Sequence, residues 1–177
     1  DEIMADCQAA GIYRESKLRG AGVWLSDDGL VINGRDGVWT SDGKVLERVS
    51  QDGAVVYSLE KNELDIAPED AAAAPEDVLE IEQAIDAWEW NSLSAGALVM
   101  GWTVCAVLAG ALGWRAHLYV TGRAGAGKST FARLLGAMFG KAAARPTGQL
   151  TQAGLLQTLG ARAIPCIVDE TEAGKSN

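Results

Sequence analysis

The sequence predicts an α/β protein built as a small antiparallel β-rich N-terminal module, a helical layer and an incomplete parallel-sheet core. Three observations carry this prediction. Four Asp-Gly pairs (Asp28-Gly29, Asp36-Gly37, Asp42-Gly43, Asp52-Gly53) separate short runs rich in Val, Trp, Ile and Tyr between Gly22 and Glu60, the pattern of strands joined by tight hairpin turns. Residues 91–114 contain no charged side chain. An apolar run, Leu118-Tyr119-Val120, then leads into the glycine-rich octapeptide Gly122-Arg123-Ala124-Gly125-Ala126-Gly127-Lys128-Ser129, which a helix-periodic segment follows.

Residues 1–62 form the first unit, an N-terminal helix plus a β-meander. An amphipathic helix is expected over 2–19, interrupted at Gly11 and ending in the basic stretch Arg14 to Arg19. Five strands are expected at Val23-Trp24-Leu25, Leu30-Val31-Ile32, Val38-Trp39, Lys44-Val45-Leu46 and Ala54-Val55-Val56-Tyr57. Trp24, Trp39 and Tyr57 are expected to pack in the core rather than stack on bases, because the charge around them is acidic. Residues 63–75, with their Pro-Glu-Asp and Ala-Ala-Ala-Ala-Pro steps, read as a linker.

Residues 76–114 make the helical layer. Pro75 suits the first turn of a helix, Glu76 and Asp77 suit its positive end, and Val78, Ile81, Ile85 and Trp88 share one face. The uncharged stretch 91–114 has the length to cross a bilayer. Its many small residues (Gly96, Gly101, Gly110, Gly113), the absence of a flanking basic cluster and the strand that follows favour a buried helix packed through its glycines. The expected location is therefore cytoplasmic, with no membrane partner.

Residues 115–177 hold the core. Phe131, Leu134, Leu135, Met138 and Phe139 make a helical stripe that ends at Gly140. Lys141 to Gln149 reads as loop or weak strand, and a short helix follows with Thr151 as N-cap and Gly160 as stop. Ala163-Ile164-Pro165-Cys166-Ile167-Val168 is an apolar strand running into Asp169-Glu170. The chain opens on Asp1 without a Met and stops just past those acids, and it is read as part of a longer protein.

The octapeptide spells G-x-x-x-x-G-K-[ST], a phosphate-binding P-loop, which makes the core that of a nucleoside triphosphatase. Backbone N–H groups can wrap a polyphosphate only where Cβ atoms are absent and positive φ is tolerated, which Gly122, Gly125 and Gly127 allow. Arg123, Ala124 and Ala126 complete the wrap. Lys128 is expected at the β- and γ-phosphates and Ser129 at Mg²⁺, with Thr130 beside them at the start of a helix whose dipole faces the anion. Asp169, at the end of an apolar strand, has the Walker-B character of a second Mg²⁺ ligand, and Glu170 that of the base orienting the attacking water. ATP and Mg²⁺ are the implied ligands, with Lys128 and Glu170 as the catalytic residues.

The net charge of −9 hides a split. Residues 1–90 hold 7 basic and 21 acidic side chains, whereas residues 91–177 hold 8 basic and 3 acidic ones. Only the second half suits a polyanion, and the first would repel DNA. Cys7, Cys105 and Cys166 are odd in number and far apart, which argues for a reducing compartment and against a zinc site or a disulfide framework. His117 is the only histidine, leaving little for a metal cluster or a Ser-His-Asp arrangement, and it is expected to be structural.

The span Gly113 to Thr130, the segment Thr151 to Gly160 and the run Ile167-Val168-Asp169-Glu170 together resemble the ATPase core of phage- and plasmid-type superfamily 3 replicative helicases. These are AAA+-related proteins often fused to a primase. The resemblance covers about residues 90–172, and the N-terminal β-rich part only loosely. It implies a homo-oligomeric ring, usually a hexamer, in which a neighbour's arginine completes each ATP site and single-stranded DNA is drawn through the centre by the full-length protein. It also implies a strand between the P-loop strand and the Walker-B strand. That strand is absent here, as are the sensor residue, the arginine finger and the DNA-binding hairpin, so residues 1–177 alone are expected to be inactive. Two other readings remain open: another P-loop ATPase such as a DNA-packaging or partition motor, and a nucleotide-binding assembly module without turnover.

Overall fold

Residues 18–27, 29–50, 55–59, 63–65, 73–146 and 151–169 are described by a computed structural model. The expected helix over 2–19 and the Asp52-Gly53 turn fall almost wholly outside these residues. Among the described residues the architecture is mixed α/β, with a small antiparallel sheet, a two-stranded parallel sheet and four helices.

The glycine-bearing turns fold three strands into an antiparallel meander: β1 is Leu18–Arg19, and the meander comprises β2 (Gly22–Ser26), β3 (Gly29–Asn33) and β4 (Val38–Thr40). Ser26 pairs with Gly29 at the end of the first hairpin, and Val31 pairs with Thr40 on the other side. The expected five-strand meander stops there. Lys44 to Leu46 reach β4 only through an isolated bridge between Trp39 and Val45, and β5 (Val56–Tyr57) leaves the meander to pair parallel with β1.

A buried amide accounts for that departure. Asn33 is fully buried, and its Nδ2 donates to Arg19 O at 3.0 Å and to Ser58 O at 2.9 Å while Oδ1 accepts from Arg48 Nη1 at 3.2 Å. A buried polar side chain needs partners, and Asn33 finds them in the segments that carry β1 and β5. Trp39 and Tyr57 are buried as expected, and half-buried Trp24 packs beside Val31, Val38 and Tyr57.

Helix α1 (Pro75–Asp86) begins at the predicted proline, with Asp77 Oδ2 accepting the Ala74 N–H at 3.2 Å. Helix α2 (Ala95–Val107) is 13 residues long and buries one stripe, Gly96, Val99, Thr103 and Ala106. Leu98 and Val104 on its other side are 66% and 58% exposed, so the expected buried helix is buried along one stripe and not all round. Close packing through glycine holds at two positions. A Cβ on Gly96 would strike the Asp86 carboxylate, and one on Gly110 would lie 2.5 Å from Val23 O, whereas Gly101 and Gly113 face open space. No described helix is long and apolar enough to cross a membrane.

Helix α3 (Lys128–Phe139) and helix α4 (Gln152–Leu159) follow the predicted limits, ending at Gly140 and Gly160, both at φ 54°. Thr151 caps α4, its Oγ1 accepting Gly154 N at 3.0 Å. Ile85, Val99, Phe131 and Leu135 form the cluster that joins α1, α2 and α3, with Leu118, Val120 and Ile167 packed against it. A second cluster, Ala21, Leu64, Ala144 and Ile164, ties the β module to the later half; Leu64 lies within the segment read as a linker.

The expected parallel-sheet core is not built as a sheet. Among the described residues no ladder joins Leu118–Val120 to Ala163–Val168, and the only multi-residue parallel pairing is β1 with β5. The 163–168 run instead makes isolated parallel bridges, Gly22 with Ala163 and Ala144 with Cys166. A strand needs a partner to donate to. The two runs nevertheless share one apolar cluster, so burial places them where hydrogen bonding does not.

Candidate nucleotide-binding site

The glycine-rich loop closes on itself before α3 begins. Ala126 N donates to Arg123 O at 3.2 Å, and Gly125 and Gly127 take φ of 78° and 83°, a region that costs an ordinary L residue about 1 to 2 kcal/mol. Gly127 is the N-cap of α3, and Phe131 N donates to Gly127 O at 2.8 Å as the first turn of the helix. Among the described residues nothing accepts a hydrogen bond from the N–H of Gly125 or of Gly127. Unused donors at the positive end of a three-turn helix make an anion-binding surface.

Lys128 Nζ folds back over this loop and donates to the carbonyls of Gly122 at 2.9 Å and Arg123 at 3.0 Å. Gly122, Arg123, Ala124, Gly125 and Ala126 are exposed, while Gly127, Lys128 and Ser129 are half-buried. Thr130 is exposed and its Oγ1 accepts from Arg133 Nη2 at 3.1 Å.

Ser129 Oγ donates to Asp169 Oδ1 at 3.2 Å, across 40 positions of sequence. The hydroxyl at the start of α3 and the carboxylate after the 163–168 run therefore meet at the mouth of the loop. Two hard oxygen donors in this setting fit Mg²⁺, which takes one or two protein oxygens and completes its shell with phosphate oxygens and water. A protein-only metal cage is not built here: no group of three or more His, Cys, Asp or Glu suited to a metal occurs among the described residues. Glu170, the expected base, lies outside the described residues.

Other expected features sit apart. His117 is exposed rather than packed. Cys105 and Cys166 are free thiols, and burial pushes the Cys166 thiol above its ordinary pKa, with Arg162 pulling more weakly the other way. Of the basic stretch ending at Arg19, only that last arginine is described with its neighbours: its guanidinium lies 5.5 Å from the Trp24 ring centroid and 6.0 Å from that of Tyr57. Two cavities, of about 410 and 470 Å³, flank the far end of α3 at Met138 and Phe139 and do not touch the loop.

Sequence reasoning missed one contact. It places Trp88 on one face of the helix that begins at Pro75, whereas Trp88 lies in the turn after α1, and it gives no sign that the indole reaches Gly127, yet a Cβ on Gly127 would lie 3.1 Å from Trp88 Nε1. Comparison with protein-family models, curated proteins and solved structures finds no match to the chain.

Proposed function

We propose that this chain binds ATP with Mg²⁺ through Gly122 to Thr130 and Asp169, as the ATP-hydrolysing core of a DNA helicase or primase-helicase with a P-loop, AAA+-like fold. The 3.2 Å approach of Ser129 Oγ to Asp169 Oδ1 carries the reading. A P-loop hydroxyl and a Walker-B carboxylate are the two protein groups that such enzymes set around the metal.

In this reading the free N–H groups of the loop and the N-terminus of α3 bind the phosphate oxygens. Lys128 exchanges its bonds to the Gly122 and Arg123 carbonyls for the β- and γ-phosphates. Ser129 and Asp169 hold the metal, which supplies charge neutralisation at the transferring phosphoryl group. Glu170 orients the attacking water and accepts its proton. The assignment to helicases rests on the motif residues, as do the oligomeric ring and the passage of single-stranded DNA through the full-length protein, while the cytoplasmic location rests on the small residues of 91–114 and the scattered cysteines.

The test is equilibrium binding of a non-hydrolysable ATP analogue with Mg²⁺ to the wild-type chain and to Lys128→Ala. Loss of binding in the variant is expected, because the substitution removes the side-chain cation nearest the phosphates. A change of less than about threefold, or about 0.7 kcal/mol, would refute the phosphate-loop assignment.

A further inference from the structure

Trp88 lies just beyond α1, in the turn that leads towards α2. Its N–H donates to Ile85 O at 3.3 Å and its carbonyl accepts Trp90 N at 2.8 Å, while Trp90 Nε1 donates to Ile85 O at 2.8 Å. The turn is thereby pinned to the end of α1. Both indoles then meet the ring of Phe131 edge to face, each at 5.2 Å between centroids, with interplanar angles of 71° for Trp88 and 84° for Trp90.

The two tryptophans differ in one respect. Among the described residues, the only non-neighbouring atoms within 4 Å of a Cβ built on Gly127 are Trp88 Nε1 at 3.1 Å and Trp88 Cδ1 at 3.9 Å. The Trp88 indole edge therefore stands against the residue at which the phosphate loop turns into α3. Gly127 needs such a wall. A glycine visits positive and negative φ about equally, so its value of 83° is held by its surroundings and not by its own sterics.

We infer that Trp88 is a positioning residue for the phosphate loop: its indole holds the left-handed turn at Gly127 and so aims the N–H groups of Gly127, Lys128 and Ser129 at the phosphates. The inference rests on the ATP-binding reading but concerns a residue that no phosphate-binding motif contains. Without the indole the loop is less ordered before binding, and the ligand must then supply the cost of fixing one residue, about tenfold in affinity.

Trp90 provides the control, because it packs on Phe131 at the same distance yet does not reach Gly127. Trp88→Leu, Trp88→Phe and Trp90→Leu are compared in the full chain by titration with a non-hydrolysable ATP analogue and with inorganic tripolyphosphate, and by urea unfolding. Trp88→Leu should weaken both ligands about tenfold, Trp88→Phe should recover part of that loss, and Trp90→Leu should stay within threefold of wild type despite a similar unfolding midpoint. Equal loss of affinity in Trp88→Leu and Trp90→Leu would make the effect one of packing alone and overturn the proposal. Loss of the nucleotide but not of tripolyphosphate would place Trp88 against the base or sugar, and overturn it as well. Full affinity in Trp88→Leu beside abolished binding in Lys128→Ala would sink the role of Trp88 while leaving ATP binding intact, whereas no binding by wild type would remove both.

Discussion

Phe131 joins the helical layer to the helix that follows the glycine-rich loop, and its replacement by Ala gives the most direct measure of that junction. Phe131 is 1% exposed, and it packs with Ile85, Val99 and Leu135 from three helices. Phe→Ala in a core that cannot collapse costs about 3 to 5 kcal/mol. Each edge-to-face pair adds about 0.5 to 1.5 kcal/mol beyond area burial, and Phe131 makes two such pairs, with Trp88 and Trp90. The expected cost therefore lies at the upper end, about 4 to 5 kcal/mol, against a typical total stability of about 5 to 15 kcal/mol. Phe131→Leu retains most of the volume and loses mainly the ring pairs, so it should cost about 1 to 2 kcal/mol. Urea unfolding followed by tryptophan fluorescence measures both, as a shift in midpoint at constant slope. A cost below about 2 kcal/mol for Phe131→Ala, or equal costs for the two variants, would show that Phe131 does not hold the helical layer to α3.

Asp169→Asn should raise the Mg²⁺ concentration needed for half-maximal nucleotide binding, since an amide is a weaker ligand than a carboxylate; an unchanged Mg²⁺ titration would remove Asp169 from the metal site. Glu170→Gln in the full-length protein should retain ATP binding and lose hydrolysis, because the amide accepts no proton, and phosphate release at the wild-type rate would dismiss the general-base role. Asn33→Ala should destabilise the β module by about 2 to 4 kcal/mol, the sum of the hydrogen bonds that the buried amide makes to Arg19, Ser58 and Arg48. A midpoint shift worth less than about 1 kcal/mol would mean that the buried amide does not fix β1 and β5.

Local structure was legible in the sequence wherever its causes are local. A proline followed by two acids fixes the start of α1, Thr151 and Gly160 fix the two ends of α4, and the Asp-Gly steps place the first hairpins, because each device acts within a turn or two of chain. The conformation of the glycine-rich loop was equally legible, since Gly125 and Gly127 tolerate the positive φ they adopt and Lys128 and Ser129 open the helix that follows. Apolar periodicity placed Leu118, Val120 and Ile167 against the core but could not supply the ladder between their segments, because hydrogen-bond pairing depends on a partner strand that periodicity does not name.

Tertiary structure alone decided the remainder. Periodicity marks which residues of α2 are apolar, yet burial of Val99 and exposure of Leu98 depend on where α1 and α3 lie. The parallel pairing of β5 with β1 follows from the buried hydrogen bonds of Asn33, whose partners lie 14, 15 and 25 positions away. The contact of Trp88 with Gly127 has no sequence signature either, since it is set by two indoles closing on one phenyl ring. Short-range sterics and backbone hydrogen bonding thus wrote the loop into the sequence, while long-range packing, which acts only after the chain has closed on itself, determined what stands behind it.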